Sequence, residues 1–318
     1  MDTPPISHVA VVGGGTIGAS WAALFLARGL SVTMHDPAPD ARAQTLARIH
    51  AAWPALAQAR LVVPGAAPDK IRFENQLEEA LEGVDFVQEN APEREAFKID
   101  LFSRMDAVLP ESVLIASSSS GLLMSRLQSG CRFPERCLIG HPFNPPHLIP
   151  LVEVVGGERT APAALERAMT FYRGLGKYPI RLNKEVPGHI ANRLQAALWR
   201  EAVHLVAEDV ASVADIDAAV AQGPGLRWAL FGPHMTFNLG GGEGGLQHFM
   251  DHLLGPMQAW WDDLGDPELT AELQRKLVAG VQSEASGRTI ASLATERDQQ
   301  LSAVLALLQS ARPGASTE

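Results

Sequence analysis

The chain has 318 residues, 46% of them hydrophobic and 19% charged, with a net charge of −10 and two cysteines, Cys131 and Cys137. That length predicts two domains, and that composition excludes a disordered chain. The negative charge argues against nucleic acid as a partner, because neutralising phosphates needs a basic surface. Two thiols are too few for a disulfide scaffold, and no CxxC pair stands at zinc or redox spacing.

The N-terminal stretch MDTPPISHVAVVGGG has no basic n-region and no signal-like apolar run. No stretch approaches the ~18 apolar residues of a membrane span, so the expectation is a cytoplasmic protein with no membrane partner. HVAVV at 8–12 reads as a buried strand, followed by a helical pattern over 16–29 and a second strand, SVTMHD, at 31–36. VDFVQE at 84–89 and SVLIAS at 112–117 are further strands with helical patterns between them. RCLIGH and LVEVV flank a proline-rich stretch, and YPIRL at 178–182 reads as the last strand. Alternation at this spacing predicts a Rossmann-type, doubly wound parallel sheet covered on both faces.

After Pro187 the strand pattern stops. The segment 187–211 has apolar residues at helical spacing for some seven turns, and DIDAAVAQ, 266–284 and 289–310 also read as helices. The expected division is therefore a nucleotide-binding domain over 1–186 and an all-helical domain over 187–318, with a long hinge helix between them. NLGGGEGG at 238–245 follows no strand and lacks a P-loop lysine, so it reads as a flexible loop and a candidate substrate-side lid.

The first chemical motif is VVGGGTIGAS, with Gly13, Gly15 and Gly18 in GxGxxG spacing between a strand and a helix. In that context Gly13 makes a tight turn, Gly15 admits a pyrophosphate, and Gly18 lets helix and strand pack closely. Thr16 and Ile17 open the helix whose free N–H groups face the phosphates. Asp36 ends the next strand, where it accepts from the adenosine ribose diol and repels a 2′-phosphate, which predicts NAD as the cofactor.

HPFNPPHLIPLVE, residues 141–153, poses the second question. It holds His141, His147, four prolines and Glu153. A metal site, a folded corner of core and a catalytic pair are the readings. No third nitrogen or sulfur ligand stands at zinc spacing, which weakens the metal. A nicotinamide site needs a base near neutrality, and a histidine steadied by a carboxylate supplies one. The prolines forbid a helix, so strand pairing must bring His141 to Glu153. SSSSG at 117–121 puts four hydroxyls at a strand end, and Asn192 lies in the first turns of the hinge helix. Ser117, Ser118 and Ser119 read as turn and core hydroxyls.

Taken together, the GxGxxG–Asp pattern, SSSSG, GHPFNP, LVEVV and KEVPGHIANRL resemble the L-3-hydroxyacyl-CoA dehydrogenase family over nearly the whole chain. The resemblance implies a His141–Glu153 dyad, with Ser120 and Asn192 hydrogen-bonding the reacting oxygen. It also places Glu93 and Lys98, in PEREAFK, near the nicotinamide ribose and carboxamide, and implies a homodimer through the helical domain. GPGLRWALFGP at 223–233 resembles the branch acting on free hydroxy acids, which includes the L-carnitine and L-gulonate 3-dehydrogenases. A free acid brings a carboxylate, for which Arg227 is the candidate anchor, with a surface arginine as the bland alternative.

A trimethylammonium group would be recognised by aromatic faces. Trp228 and Phe231 are the candidates, with Phe237 and Phe143 beside the motifs. The wider pattern resembles the carnitine branch, in DPAP, AWPAL, LVEVVGG, YRGLG, ALWREAVHLV, GLRW and GGLQHFM. NPPH at 144–147 and FGPHMT at 231–236, with Pro146, Pro233 and His234, stand closer to the gulonate branch. The expected substrate is a small free L-3-hydroxy acid, with L-carnitine ahead of L-gulonate and a short 3-hydroxyacyl-CoA. A silent NAD-binding protein is the remaining reading, against which stands the intact set of Ser120, His141, Glu153 and Asn192.

Overall fold

The structure is a computed structural model that describes residues 5–310. It divides into two compact units. One comprises the chain through Arg193 together with Asp298–Leu307, and the other comprises Leu194–Arg297.

The first unit begins β1 (His8–Val12), α1 (Thr16–Ala27), β2 (Ser31–His35), α2 (Ala41–Gln58) and β3 (Arg72–Glu74). It continues through α3 (Leu77–Ala80), β4 (Phe86–Glu89), α4 (Glu95–Val108), β5 (Leu114–Ser117) and α5 (Met124–Leu127). β6 (Cys137–Pro142), β7 (Leu151–Gly156), α6 (Pro162–Gly174) and β8 (Tyr178–Arg181) complete it. The strands form one sheet in the order β3-β2-β1-β4-β5-β6-β7-β8. The doubly wound expectation holds, with two differences. The short strand β3 carries too few apolar residues to stand out in the sequence. The pairing of β6 with β7 is antiparallel. A parallel return needs a crossover of about a dozen residues or more. Only residues 143–150 separate these two strands, so the chain must double back.

Helices cover both faces of the sheet. On one side Trp21, Phe25, Ile49, Leu56 and Tyr172 pack over Val9, Val11 and Phe86. On the other, Leu101, Phe102, Met105 and Leu127 pack over Ala10, Val12 and Ile115. Helix α1, TIGASWAALFLA, is buried from Gly18 to Ala27. It has no polar face because it lies wholly inside the layer. Trp21 stacks on Phe25 with ring centroids 5.2 Å apart, and Phe86 meets Tyr172 edge-on at 5.9 Å. These aromatic pairs hold α1 and its glycine-rich start rigidly against the sheet.

Beyond β8 the chain is helical: α7 (Ala191–Ala207), α8 (Val213–Gln222), α9 (Pro224–Trp228), α10 (Pro233–Gly240), α11 (Gly245–Asp263), α12 (Ala271–Ala285) and α13 (Ile290–Ser310). The expected seven-turn hinge helix is shorter, because residues 187–190 form a turn. Gly188 and His189 there take positive φ values of 77° and 51°. Helix α11 was not anticipated, since Gly255 and Pro256 interrupt its pattern. NLGGGEGG is not an open loop either. It ends α10, makes a 3-10 turn at Gly242–Gly244 and begins α11, and Asn238 Oδ1 accepts from Leu246 N at 2.9 Å. Among the described residues, no helix is long and apolar enough to cross a membrane.

Candidate active site

The sheet order reverses between β1 and β4, and loops at the carboxyl ends of β1, β4, β5 and β6 gather at that edge. The first loop carries Gly13, with φ +98°, whose added Cβ would lie 2.8 Å from the Asn90 carbonyl. A Cβ on Gly18 would lie 1.8 Å from the Gly13 oxygen, so helix and loop touch only because that side chain is absent. At Gly15 a Cβ would meet nothing within 4 Å. Gly15 is also the N-cap of α1 and supplies no side-chain cap, so the first-turn N–H groups at Thr16 and Ile17 receive none from it. Polarity and room of this kind suit a pyrophosphate.

Asp36 has a second task that its position in sequence does not reveal. Its Oδ2 accepts from Gly14 N at 2.7 Å and its Oδ1 from Ala38 N at 2.9 Å. Thr45 Oγ1 donates to Gly14 O at 2.9 Å from the other side. The carboxylate thus pins the glycine loop and keeps lone pairs for a ribose diol.

The dyad forms across the antiparallel pair, in which His141 stands directly opposite Glu153. His141 is 4% exposed and Glu153 fully buried. His141 Nδ1 lies 2.9 Å from Glu153 Oε2, and His141 Nε2 lies 3.2 Å from Ser120 Oγ. A carboxylate only accepts, so Nδ1 carries the proton and Nε2 is the nitrogen turned toward Ser120. Glu153 Oε1 accepts from Ile190 N at 2.7 Å and Ala191 N at 3.0 Å. Burial works to raise the Glu153 pKa, but the His141 bond and these two N–H groups outweigh it and hold the carboxyl below the usual range.

The proline corner between β6 and β7 is itself braced. Buried Lys177 donates to the Pro146 and Ile149 carbonyls, the latter at 2.8 Å, and lies over the Trp21 ring. His147 belongs to this packing, with Nδ1 2.8 Å from Ser20 Oγ.

The serine run separates into individual roles. Ser117 Oγ donates to Glu89 Oε2 at 2.5 Å, Ser118 Oγ to Asn90 Oδ1 at 2.7 Å, and Ser119 Oγ to Glu93 Oε1 at 2.5 Å. Glu93 Oε1 also accepts from Ser120 N and Gly121 N. Burial raises the Glu93 pKa, but the Ser119 hydroxyl, the Gly121 N–H and the Lys98 charge more than reverse this. Lys98 is 1% exposed. It bonds both oxygens of Glu89, at 2.7 and 2.9 Å, and stands 3.8 Å from Glu93 Oε2. Glu89 was missed in the sequence, although its signal resembled that of Asp36, an acidic residue closing an apolar parallel strand.

Asn192 is half-buried in the first turn of α7, just after Ala191. Arg227, Trp228 and Phe231 lie in the second unit. They fall on one exposed turn, where Phe231 N donates to Arg227 O at 2.9 Å. Pro233 and His234 follow at the exposed start of α10.

Residues 8–186 match the model of the 3-hydroxyacyl-CoA dehydrogenase NAD binding domain, and residues 188–284 match that family's C-terminal domain. The chain belongs to the 3-hydroxyacyl-CoA dehydrogenase family. Membership makes it an NAD-dependent oxidoreductase acting on a CH–OH group. It is 52% identical to an L-carnitine dehydrogenase of Streptomyces griseus over 300 residues, 94% of this chain and 89% of that protein. Against an L-carnitine dehydrogenase of Pseudomonas aeruginosa it is 48% identical over 304 residues, 96% of this chain and 94% of that one. Among solved structures, the 5-formyl-3-hydroxy-2-methylpyridine 4-carboxylic acid 5-dehydrogenase, an NAD+-dependent dismutase, is 30% identical. It superposes with a TM-score of 0.82 over 96% of this chain and 100% of that one.

Proposed function

We propose that the chain oxidises the 3-hydroxyl of L-carnitine to 3-dehydrocarnitine with NAD. The reaction rests on one arrangement: a buried His141 whose Nδ1–H is held by an ionised Glu153, leaving Nε2 free to take a proton beside Ser120. The substrate rests on half-identity to L-carnitine dehydrogenases along nearly the full chain.

His141 Nε2 takes the hydroxyl proton as the carbinol becomes a ketone. Glu153 holds the ring in the productive tautomer and stabilises the imidazolium. Ser120 hydroxyl and Asn192 amide hydrogen-bond the reacting oxygen. NAD, when bound, supplies the hydride acceptor. Gly13, Gly15, Thr16, Ile17, Gly18 and Asp36 hold its adenosine diphosphate end. Glu93 faces the nicotinamide ribose, with Lys98 and Glu89 fixing its loop from below.

Arg227 anchors the substrate carboxylate, and Trp228 and Phe231 offer aromatic faces to the trimethylammonium group. Initial rates of NADH formation with L-carnitine, D-carnitine, L-gulonate and L-3-hydroxybutyrate test the substrate, and L-carnitine is expected to lead. Arg227→Leu should raise the KM for L-carnitine by about tenfold or more with kcat largely kept, as for one lost charge-assisted contact. An unchanged KM would overturn the anchor and favour a thioester substrate.

The helical unit also presents an apolar groove of about 330 Å³ lined by Trp199, Val203, Val206, Val213, Ile216 and Val281. Trp199 is exposed there, as are Leu194 and Leu198 on the same helix. A cytoplasmic homodimer joined through this unit accounts for that surface. Sedimentation at twice the chain mass, shifted toward the single chain by Trp199→Glu, is the expected result. A wild-type chain sedimenting as a monomer would remove the dimer.

A further inference from the structure

His189 is absorbed by none of the roles above, yet it is better buried than His141. It is 2% exposed and sits at φ 51°, in a left-handed turn opened by Gly188. Non-glycine residues avoid this region, and histidine is among the few side chains enriched there. Such a conformation persists only where the surroundings hold it.

Its ring is placed between two parts of the active site. Nε2 lies 3.0 Å from Ser119 O. A carbonyl can only accept, so Nε2 carries the proton and the ring is the neutral Nε2–H tautomer. Nδ1 is buried and has no hydrogen-bond partner among the described residues. The ring centroid is 5.0 Å from that of His141, at 44°. The backbone then runs directly into Ile190 N and Ala191 N, both of which donate to Glu153 Oε1. One short segment therefore holds both partners of His141. It reaches Glu153 through its backbone and Ser120 through the neighbouring Ser119 carbonyl.

We infer that His189 is a positioning residue that clamps the Ser119–Ser120 turn against the dyad and stays uncharged while His141 takes its proton. The inference rests on the dehydrogenase reading of His141, and not on which hydroxy acid is the substrate. Its chemistry is a matter of charge placement. The charged and titratable groups facing His189 are His141 on β6, Glu153 on β7 and Glu93 after β4. Burial lowers the His189 pKa first. The Ser119 carbonyl and the two carboxylates oppose this, the His141 charge adds to it, and the net shift is downward. The single positive charge of the pair therefore belongs on His141, which alone has a buried carboxylate at hydrogen-bond distance.

Two measurements test this. Nitrogen-15 spectra of histidine-labelled wild-type protein should show His189 with Nε2 protonated and Nδ1 bare across the neutral range, about pH 6 to 8. A His189 that gains a second proton within that range would overturn the inference, and this readout needs no substrate. His189→Phe keeps a ring but loses the donor. It should lower kcat by about 10- to 100-fold, the scale of a misplaced catalytic group, with the KM for NAD little changed. His189→Asn keeps a donor and tolerates the left-handed turn, so it should recover part of that loss. Both variants are assayed on whichever hydroxy acid the wild type oxidises fastest, so a failed carnitine assignment leaves the test intact. A wild-type kcat in the phenylalanine variant, or equal losses in both variants tracking equal losses of thermal stability, would reduce His189 to a packing residue.

Discussion

Replacing His141 with alanine lowers kcat by about 10³- to 10⁴-fold, the span that separates a positioned general base from none, while NADH binding persists. Asp36 holds the cofactor loop through bonds from Gly14 and Ala38, and Thr45 bonds Gly14 from the other side, so this set of bonds is made without His141. Fluorescence titration with NADH and steady-state rates on the same preparation separate the two effects. Near-wild-type turnover in the variant would sink the assignment of His141 as base.

The pH profile sharpens the test. Glu153 is held below the ordinary carboxylate range, so its folded pKa lies under its unfolded one. Its contribution to folding is complete above the unfolded value and is lost only as pH falls through the lower folded value. Loss of stability as pH falls below the ordinary carboxylate range therefore reports protonation of Glu153, and Glu153→Gln should remove that part of the acid dependence.

Replacing Glu89 with glutamine costs about 3–5 kcal/mol of stability, because it leaves the buried Lys98 ammonium with only Glu93, 3.8 Å away, as a counter-ion. Lys98 and Glu89 are 1% and 0% exposed at the side chain, and both carboxylate oxygens take the ammonium. Glu89 also accepts from Ala91 N and Ser117 Oγ, each at 2.5 Å. Its loss therefore loosens the loop carrying Glu93 and the strand end carrying the serine run. Urea denaturation should show the lower midpoint, with a parallel loss of NADH affinity. The double variant Glu89→Gln/Lys98→Met removes the orphaned charge and should regain most of the stability. A single variant costing under about 1 kcal/mol, the scale of a surface pair, would mean that water reaches Lys98.

The amino-acid sequence determined those features whose causes are local. The β1–α1–β2 unit, its glycine spacing and the acidic end of β2 lie within 29 residues, from His8 to Asp36, and each has a backbone reason readable in order. The His141–Glu153 meeting was also legible, because four prolines left strand pairing as the only route. The direction of that pairing was not, since it depended on a short connection that cannot cross over. Tertiary structure alone joined Glu89 to Lys98, gave Asp36 its grip on Gly14, and turned His189 back against Ser119 across 70 residues of chain. The left-handed turn at His189 and the helix through Pro256 both run against local propensity. Packing overrides such preferences, because a few kcal/mol of backbone cost is small beside the burial a whole helix or strand brings. A residue's partners across the sheet depend on register and crossing, which no window of sequence contains.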